Sequence, residues 1–155
     1  MRSLSNIRKT AEKGQSLVEF AFMLVVLLIL LSGIVDGTRA LYTFMAMRDA
    51  AQEGALYASY QPSQTSSIQA RAGNSSDIMR SLYSNSSVTV TVTPTVSGKL
   101  CAGSTSGSSH GITVAINYPS FPLVMPLIGV FIGGQTVPIS TSVTDTILAP
   151  KCTSP

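Results

Sequence analysis

The sequence predicts an α+β protein: a long N-terminal membrane-spanning helix continuing as an amphipathic spine, packed against a small three-stranded antiparallel sheet with one or two short helices. Three observations predict it. Residues 20–31 contain no polar side chain, and the apolar character resumes at Ile34 and Val35 after Ser32-Gly33. No proline precedes Pro62, so nothing interrupts a helix over the first sixty residues. Val88-Thr89-Val90-Thr91-Val92-Thr93 alternates strictly, the mark of a strand with one buried face.

The membrane segment comes first. Residues 15–35 make a helix of roughly 30 Å, enough to cross a hydrocarbon core. Its one carboxylate, Glu19, stands at the mouth of the run, where a charge costs less than the about 2.5–3.5 kcal/mol it costs at the centre. The net charge of +3 lies entirely in residues 1–14, where Arg2, Arg8, Lys9 and Lys13 outweigh Glu12. The rest of the chain is neutral, so the basic balance argues for a cytoplasmic leader rather than for nucleic-acid binding. Three regions follow: a leader over 1–14, a long helix over 15–60 and a small extracytoplasmic domain over 61–155. Within the helix the transmembrane part covers about 15–35 and the amphipathic part about 36–60.

Above the membrane, Leu41, Phe44, Met45, Ala51, Ala55 and Leu56 recur at spacings of three and four and predict one buried stripe. Arg48, Asp49, Gln52 and Glu53 occupy the opposite side. Asp36 and Arg39 stand at ion-pairing distance along the helix. Gly33 and Gly37 form a small-x-x-x-small pair, which reads either as a helix-packing notch or as a flexible helix exit. Pro62 ends the helix.

Beyond it, residues 68–83 predict one or two short helices broken at Gly73-Asn74. After the Val88 strand, stopped by Pro94, a Gly/Ser-rich loop covers 97–111. Ile112-Thr113-Val114-Ala115-Ile116-Asn117-Tyr118 alternates and is expected to stop at Pro119, and 137–148 reads as a third strand with Ile139, Thr141 and Val143 on one face. The apolar stretch at 121–128 is too short and proline-broken for a second span. It reads as a buried loop over the sheet, or else as a sticky patch for a partner or the outer leaflet.

Cys101 and Cys152 flank the second half of the chain, and in an oxidising compartment such a pair bridges; two free thiols are the alternative. Closing a loop of about 50 residues stabilises a domain by roughly 3–4 kcal/mol in the chain-entropy model. Catalysis has little support. His110 is the single histidine and sits in the Gly/Ser loop, and Gly103-Ser104-Thr105-Ser106-Gly107 puts threonine where a nucleophile elbow needs serine. No P-loop, zinc spacing or dinucleotide fingerprint occurs, so neither a metal nor a cofactor is expected.

Gly14-Gln15-Ser16-Leu17-Val18-Glu19-Phe20-Ala21, then Gly33-Ile34-Val35-Asp36 with Arg39, then Asp49-Ala50-Ala51-Gln52-Glu53-Gly54-Ala55-Leu56-Tyr57-Ala58 resemble the TadE-like family of tight-adherence (Flp/Tad) pilus systems. Val114 to Tyr118, Phe121-Pro122-Leu123 and Pro126-Leu127 follow in family order. The chain departs at Gly37, where family members usually carry an aromatic, and in the loop around Cys101 to His110. The resemblance implies cleavage by a prepilin peptidase between Gly14 and Gln15. Glycine there suits a protease that draws in an extended backbone. It also implies that Glu19, next to Phe20, pairs with the new N-terminal amine of a neighbouring subunit and so sets register. The alternative is that Glu19 favours the positive end of the helix dipole and reaches headgroup water.

The favoured expectation is a structural, non-enzymatic minor pilin or pseudopilin of type IV-like pilus assembly, held in a bacterial inner membrane with its N-terminus cytoplasmic. Its partners would be the peptidase, other pilin subunits, the assembly platform and lipid. A permanently anchored scaffold is the second reading. The third is a small secreted binding domain cut by signal peptidase after Thr38-Arg39-Ala40, which would discard the lower half of the spine.

Overall fold

A computed structural model describes residues 4–93, 111–125 and 128–148 of the chain. Cys101, Cys152, His110, the 103–107 stretch and the Pro126-Leu127 pair lie outside the described residues. Helix α1 runs from Leu4 to Tyr60 without a break, and α2 (Thr65–Gly73) and α3 (Asp77–Ser84) follow. Then come β1 (Thr89–Thr93), β2 (Gly111–Pro122), α4 (Ile128–Ile132) and β3 (Thr136–Thr146). The three strands form one antiparallel sheet in the order β1-β2-β3, with β2 central. The α+β architecture expected from the sequence is the one observed.

The chain divides into two compact units. One holds α1 up to Thr38 together with Leu123–Gln135; the other holds Arg39–Pro122 and continues from Thr136.

In the second unit, α1 and the sheet enclose the core. Met47, Ala50, Ala51, Ala55 and Ala58 from the helix cluster with Val88, Val90, Val92, Ile112, Val114 and Ile116. Ile68, Ala72 and Met79 close it from α2 and α3. The alternation in β1 works as the pattern requires, with valines inside and threonines outside. Ile139, Thr141 and Val143 share a face as expected, although β3 is an edge strand and leaves them half-buried.

Three expectations need correction. The stripe of large side chains on α1 is not the buried one: Leu41, Phe44, Met45 and Leu56 are exposed, while Met47 and the small residues at 50, 51, 54, 55 and 58 are buried. The helix backbone lies too close to its neighbours for leucine or phenylalanine to fit between. A Cβ at Gly54 would come within 3.1 Å of Ala72 Cβ and 3.2 Å of Val114 Cγ1.

Nor does Pro119 stop β2. The strand continues to Pro122, with a register shift between Tyr118 and Phe121 that lets a residue without an N–H sit in a bulge.

The 121–128 stretch does not begin as a loop. Phe121 and Pro122 still pair with Val137 and Thr136 of β3, and Leu123–Gln135 belongs to the unit of the apolar helix. The short helix α4 within it was not foreseen.

Local capping explains where α3 starts. Ser76 accepts from Met79 N at 3.2 Å as the N-cap of α3. Asp77 lies in the first turn, beside the positive end of the helix, and bonds Arg80 at 3.0 Å. Gln69 Nε2 donates to Val90 O at 2.9 Å and ties α2 to the edge strand β1.

Candidate anchoring and assembly surface

The apolar part of α1 is exposed on every side. From Leu17 to Val35 its large apolar side chains stand open apart from half-buried Ile29, and none of the hydrophobic window is buried. A helix that is apolar all round and, among the described residues, covered only near its Gly33–Asp36 end is suited to lipid, not water. By length and composition it can cross a membrane. Its hydroxyls are accommodated accordingly: Ser32 Oγ donates to Ile29 O at 2.8 Å and Thr38 Oγ1 to Ile34 O at 2.9 Å. Both hydroxyls are thus satisfied by their own helix.

Gly14 and Gln15 are helical in α1, and Glu19 and Phe20 are exposed one turn further on. Glu19 therefore lies on open surface amid Leu17, Val18 and Phe20.

The two glycines of the small-residue pair differ. A Cβ at Gly33 would meet Met125 Sδ at 3.4 Å, so the chain itself covers that position. Gly37 has nothing within 4 Å.

Asp36 is buried to 4% exposure. Its Oδ2 accepts from the backbone N–H of Val124 at 2.8 Å and of Met125 at 2.6 Å. These are charge-assisted bonds to two otherwise orphaned donors, stronger than neutral ones. They tie the segment after β2 to the end of the apolar helix. The sequence marks Asp36 by its place after the apolar run, but a partner 88 residues away leaves no local signal.

Arg39 is placed with its guanidinium 5.6 Å from the centroid of the Phe121 ring. Tyr118 meets the same ring edge-on at 5.7 Å. This cation–π stack fixes the end of β2 against α1 within the second unit and was not foreseen.

The Glu53-Gly54-Ala55-Leu56-Tyr57 stretch is where α1 docks on α2. Glu53 pairs with Arg71 at 3.1 Å, and Arg71 also lies 6.0 Å from the Tyr57 ring centroid. The Arg71 and Glu53 side chains are 61% and 39% exposed, so the pair contributes little by itself. The close approach at Gly54 and the burial of Ala55 carry the docking. Leu56 points outward, as do Leu41, Phe44 and Met45.

No curated protein and no solved structure matches the chain. Residues 14–56 match the family model described as TadE-like protein, so the chain carries a TadE-like region that takes in the apolar part of α1 and the Glu53-to-Leu56 stretch that docks on α2.

Proposed function

We propose that this chain is a structural component of tight-adherence pilus assembly, a minor pilin or pseudopilin cut by a prepilin peptidase between Gly14 and Gln15. The observation that carries the reading is the TadE-like match over 14–56 on a helix whose apolar surface is wholly unburied. In this reading the basic leader stays at the cytoplasmic face of a bacterial inner membrane and the domain after Asp36 lies outside. Cleavage leaves an ammonium on Gln15 one helical turn from Glu19. A neighbouring subunit's ammonium then neutralises Glu19, and subunits take a fixed axial register. The outward-facing Leu41, Phe44, Met45 and Leu56 extend the lateral surface available to other pilus subunits and to the assembly platform. Gly37, with open space around it, allows a neighbouring helix to approach there. The reading assigns no catalysis and no cofactor. It keeps the Asp36–Arg39 pair along the helix and a Cys101–Cys152 bridge as stabilisers of the outer domain.

A permanently anchored scaffold is the second reading. It is favoured by the apolar surface of Leu123–Gln135, which extrusion into a fibre would carry into water.

The test is the intact mass of the membrane-extracted chain from cells with and without their prepilin peptidase. Loss of residues 1–14 only when the peptidase is present supports the proposal. An uncut chain in both backgrounds, or loss through Ala40 in both, overturns it. Recovery of the cut chain in sheared surface fibres, or only in the membrane fraction, then separates subunit from scaffold.

A further inference from the structure

Leu123–Gln135 interrupts the sheet between β2 and β3 and returns to it, and four features of the segment point the same way. First is its place. Asp36 binds the N–H groups of Val124 and Met125, and Met125 Sδ fits against Gly33, so the segment is fastened where the apolar run of α1 ends. Second is composition: no Asp, Glu, Lys or Arg occurs between Lys99 and Asp145.

Third is exposure. Val130 is 80% exposed, Val124 65% and Ile132 51%, with no cover from the described residues. The same chain writes its open sheet surface differently, with Thr89, Thr91 and Thr93 on β1 and Ser140, Ser142 and Thr144 on β3. Apolar side chains at the tip therefore differ from the hydroxyls with which the two outer strands meet water. Fourth is the backbone. Leu123 N donates to Gln135 O at 2.8 Å and closes the neck, while Asp36 takes the next two donors. A segment that meets lipid needs its backbone groups satisfied in this way. With a five-residue helix it is far too short to span.

We propose that Leu123–Gln135 is a second membrane contact, an apolar foot that seats Val124, Val130 and Ile132 in the outer interface of the bilayer beside α1. The foot rests on the reading of α1 as a membrane anchor. It would fix the rotation of α1 about its own axis, because only one side of the helix carries Gly33 and Asp36. A bare spanning helix has no such orientation signal, so the foot supplies what the apolar run lacks.

The chain contains no tryptophan, so a single introduced one reports its own site. The full chain is reconstituted in phosphatidylcholine vesicles as Val130→Trp, Ile132→Trp, Leu28→Trp or Ser81→Trp, and quenched with lipids brominated high or deep on the acyl chains. Val130 and Ile132 are exposed, so the indole enters without a clash, and the use of both positions guards against misfolding of either variant. Ser81 on α3 is the exposed control and carries the same intrinsic interface preference of the probe.

The expected result is a blue shift and loss of emission with shallow bromines at 130 and 132, loss with deep bromines at 28, and neither at 81. Asp36→Ala should weaken the quenching at 130 and leave that at 28 unchanged. Emission at 130 and 132 that matches position 81, with 28 still quenched, overturns the foot and leaves the anchor standing. A blue shift at 130 and 132 without bromine quenching overturns it in favour of a protein partner or a second copy. Absence of quenching at 28 removes the anchor and the foot with it.

Discussion

Gly54 is a costly residue in the middle of a helix, about 1 kcal/mol worse than alanine, yet it lies where α2 and β2 come closest to α1. Its absent side chain is what lets Ala72 and Val114 close on the helix. Gly54→Leu is expected to destabilise the second unit by about 1–3 kcal/mol through overpacking, read as a lower midpoint in thermal or urea unfolding. Asp36 is the other residue whose role depends on a distant segment. Asp36→Ala leaves two backbone donors without their acceptor, at roughly 1–3 kcal/mol each. Faster hydrogen exchange of Val124 and Met125, with the Ile116 amide unchanged, is the expected outcome. Asp36→Asn keeps an acceptor oxygen and should show a smaller effect.

At the scale of elements, α1 separates its two jobs by side-chain size. The face toward the sheet is built of Ala50, Ala51, Gly54, Ala55 and Ala58 with Met47, while the bulkier Leu41, Phe44, Met45 and Leu56 turn outward. A helix face of small residues lets the backbone approach the sheet, where Val114 and its neighbours supply the volume. Met47→Ala should cost the folded domain about 2–5 kcal/mol, since that side chain is wholly buried. Leu41→Ala and Leu56→Ala should leave unfolding within about 0.5 kcal/mol of the parent, as exposed substitutions do. If the outward face packs against other subunits, the same two variants lower incorporation into the assembly while leaving the isolated chain folded. Comparison of unfolding midpoints with recovery in the fibre fraction separates the two effects.

For the whole molecule, the proposed processing and assembly turn on Glu19, the one exposed carboxylate in the apolar run. Glu19→Ala should leave cleavage after Gly14 intact and abolish incorporation into assembled structures, checked by intact mass and by the amount of chain in sheared fibres. Normal incorporation of that variant would show that Glu19 serves the helix end alone. Glu19→Gln keeps the size and removes the charge, and an equal loss with it ties the effect to ionic pairing.

Much of this was legible in the chain itself, because helix and strand periods are local properties of consecutive residues. The apolar run, the end of α1 before Pro62, the two short helices around Gly73-Asn74 and the three alternating strands are each written in neighbouring side chains. So is the TadE-like region, which covers one continuous stretch of the chain over 14–56. Which face of α1 is buried was not legible, because hydrophobic periodicity ranks residues by size and greasiness, whereas the fit is decided by how near β2 and α2 come. The continuation of β2 past Pro119 depended on a bulge opposite β3. The bonds from Asp36 to Val124 and Met125, and the placement of Arg39 over Phe121, join positions more than eighty residues apart. The sequence by itself determined the apolar run, the element order and the sheet alternation, since these follow from local chemistry. Only the tertiary structure decided the packed face of the spine and the fastening of Leu123–Gln135, since both arise where distant segments compete for the same space.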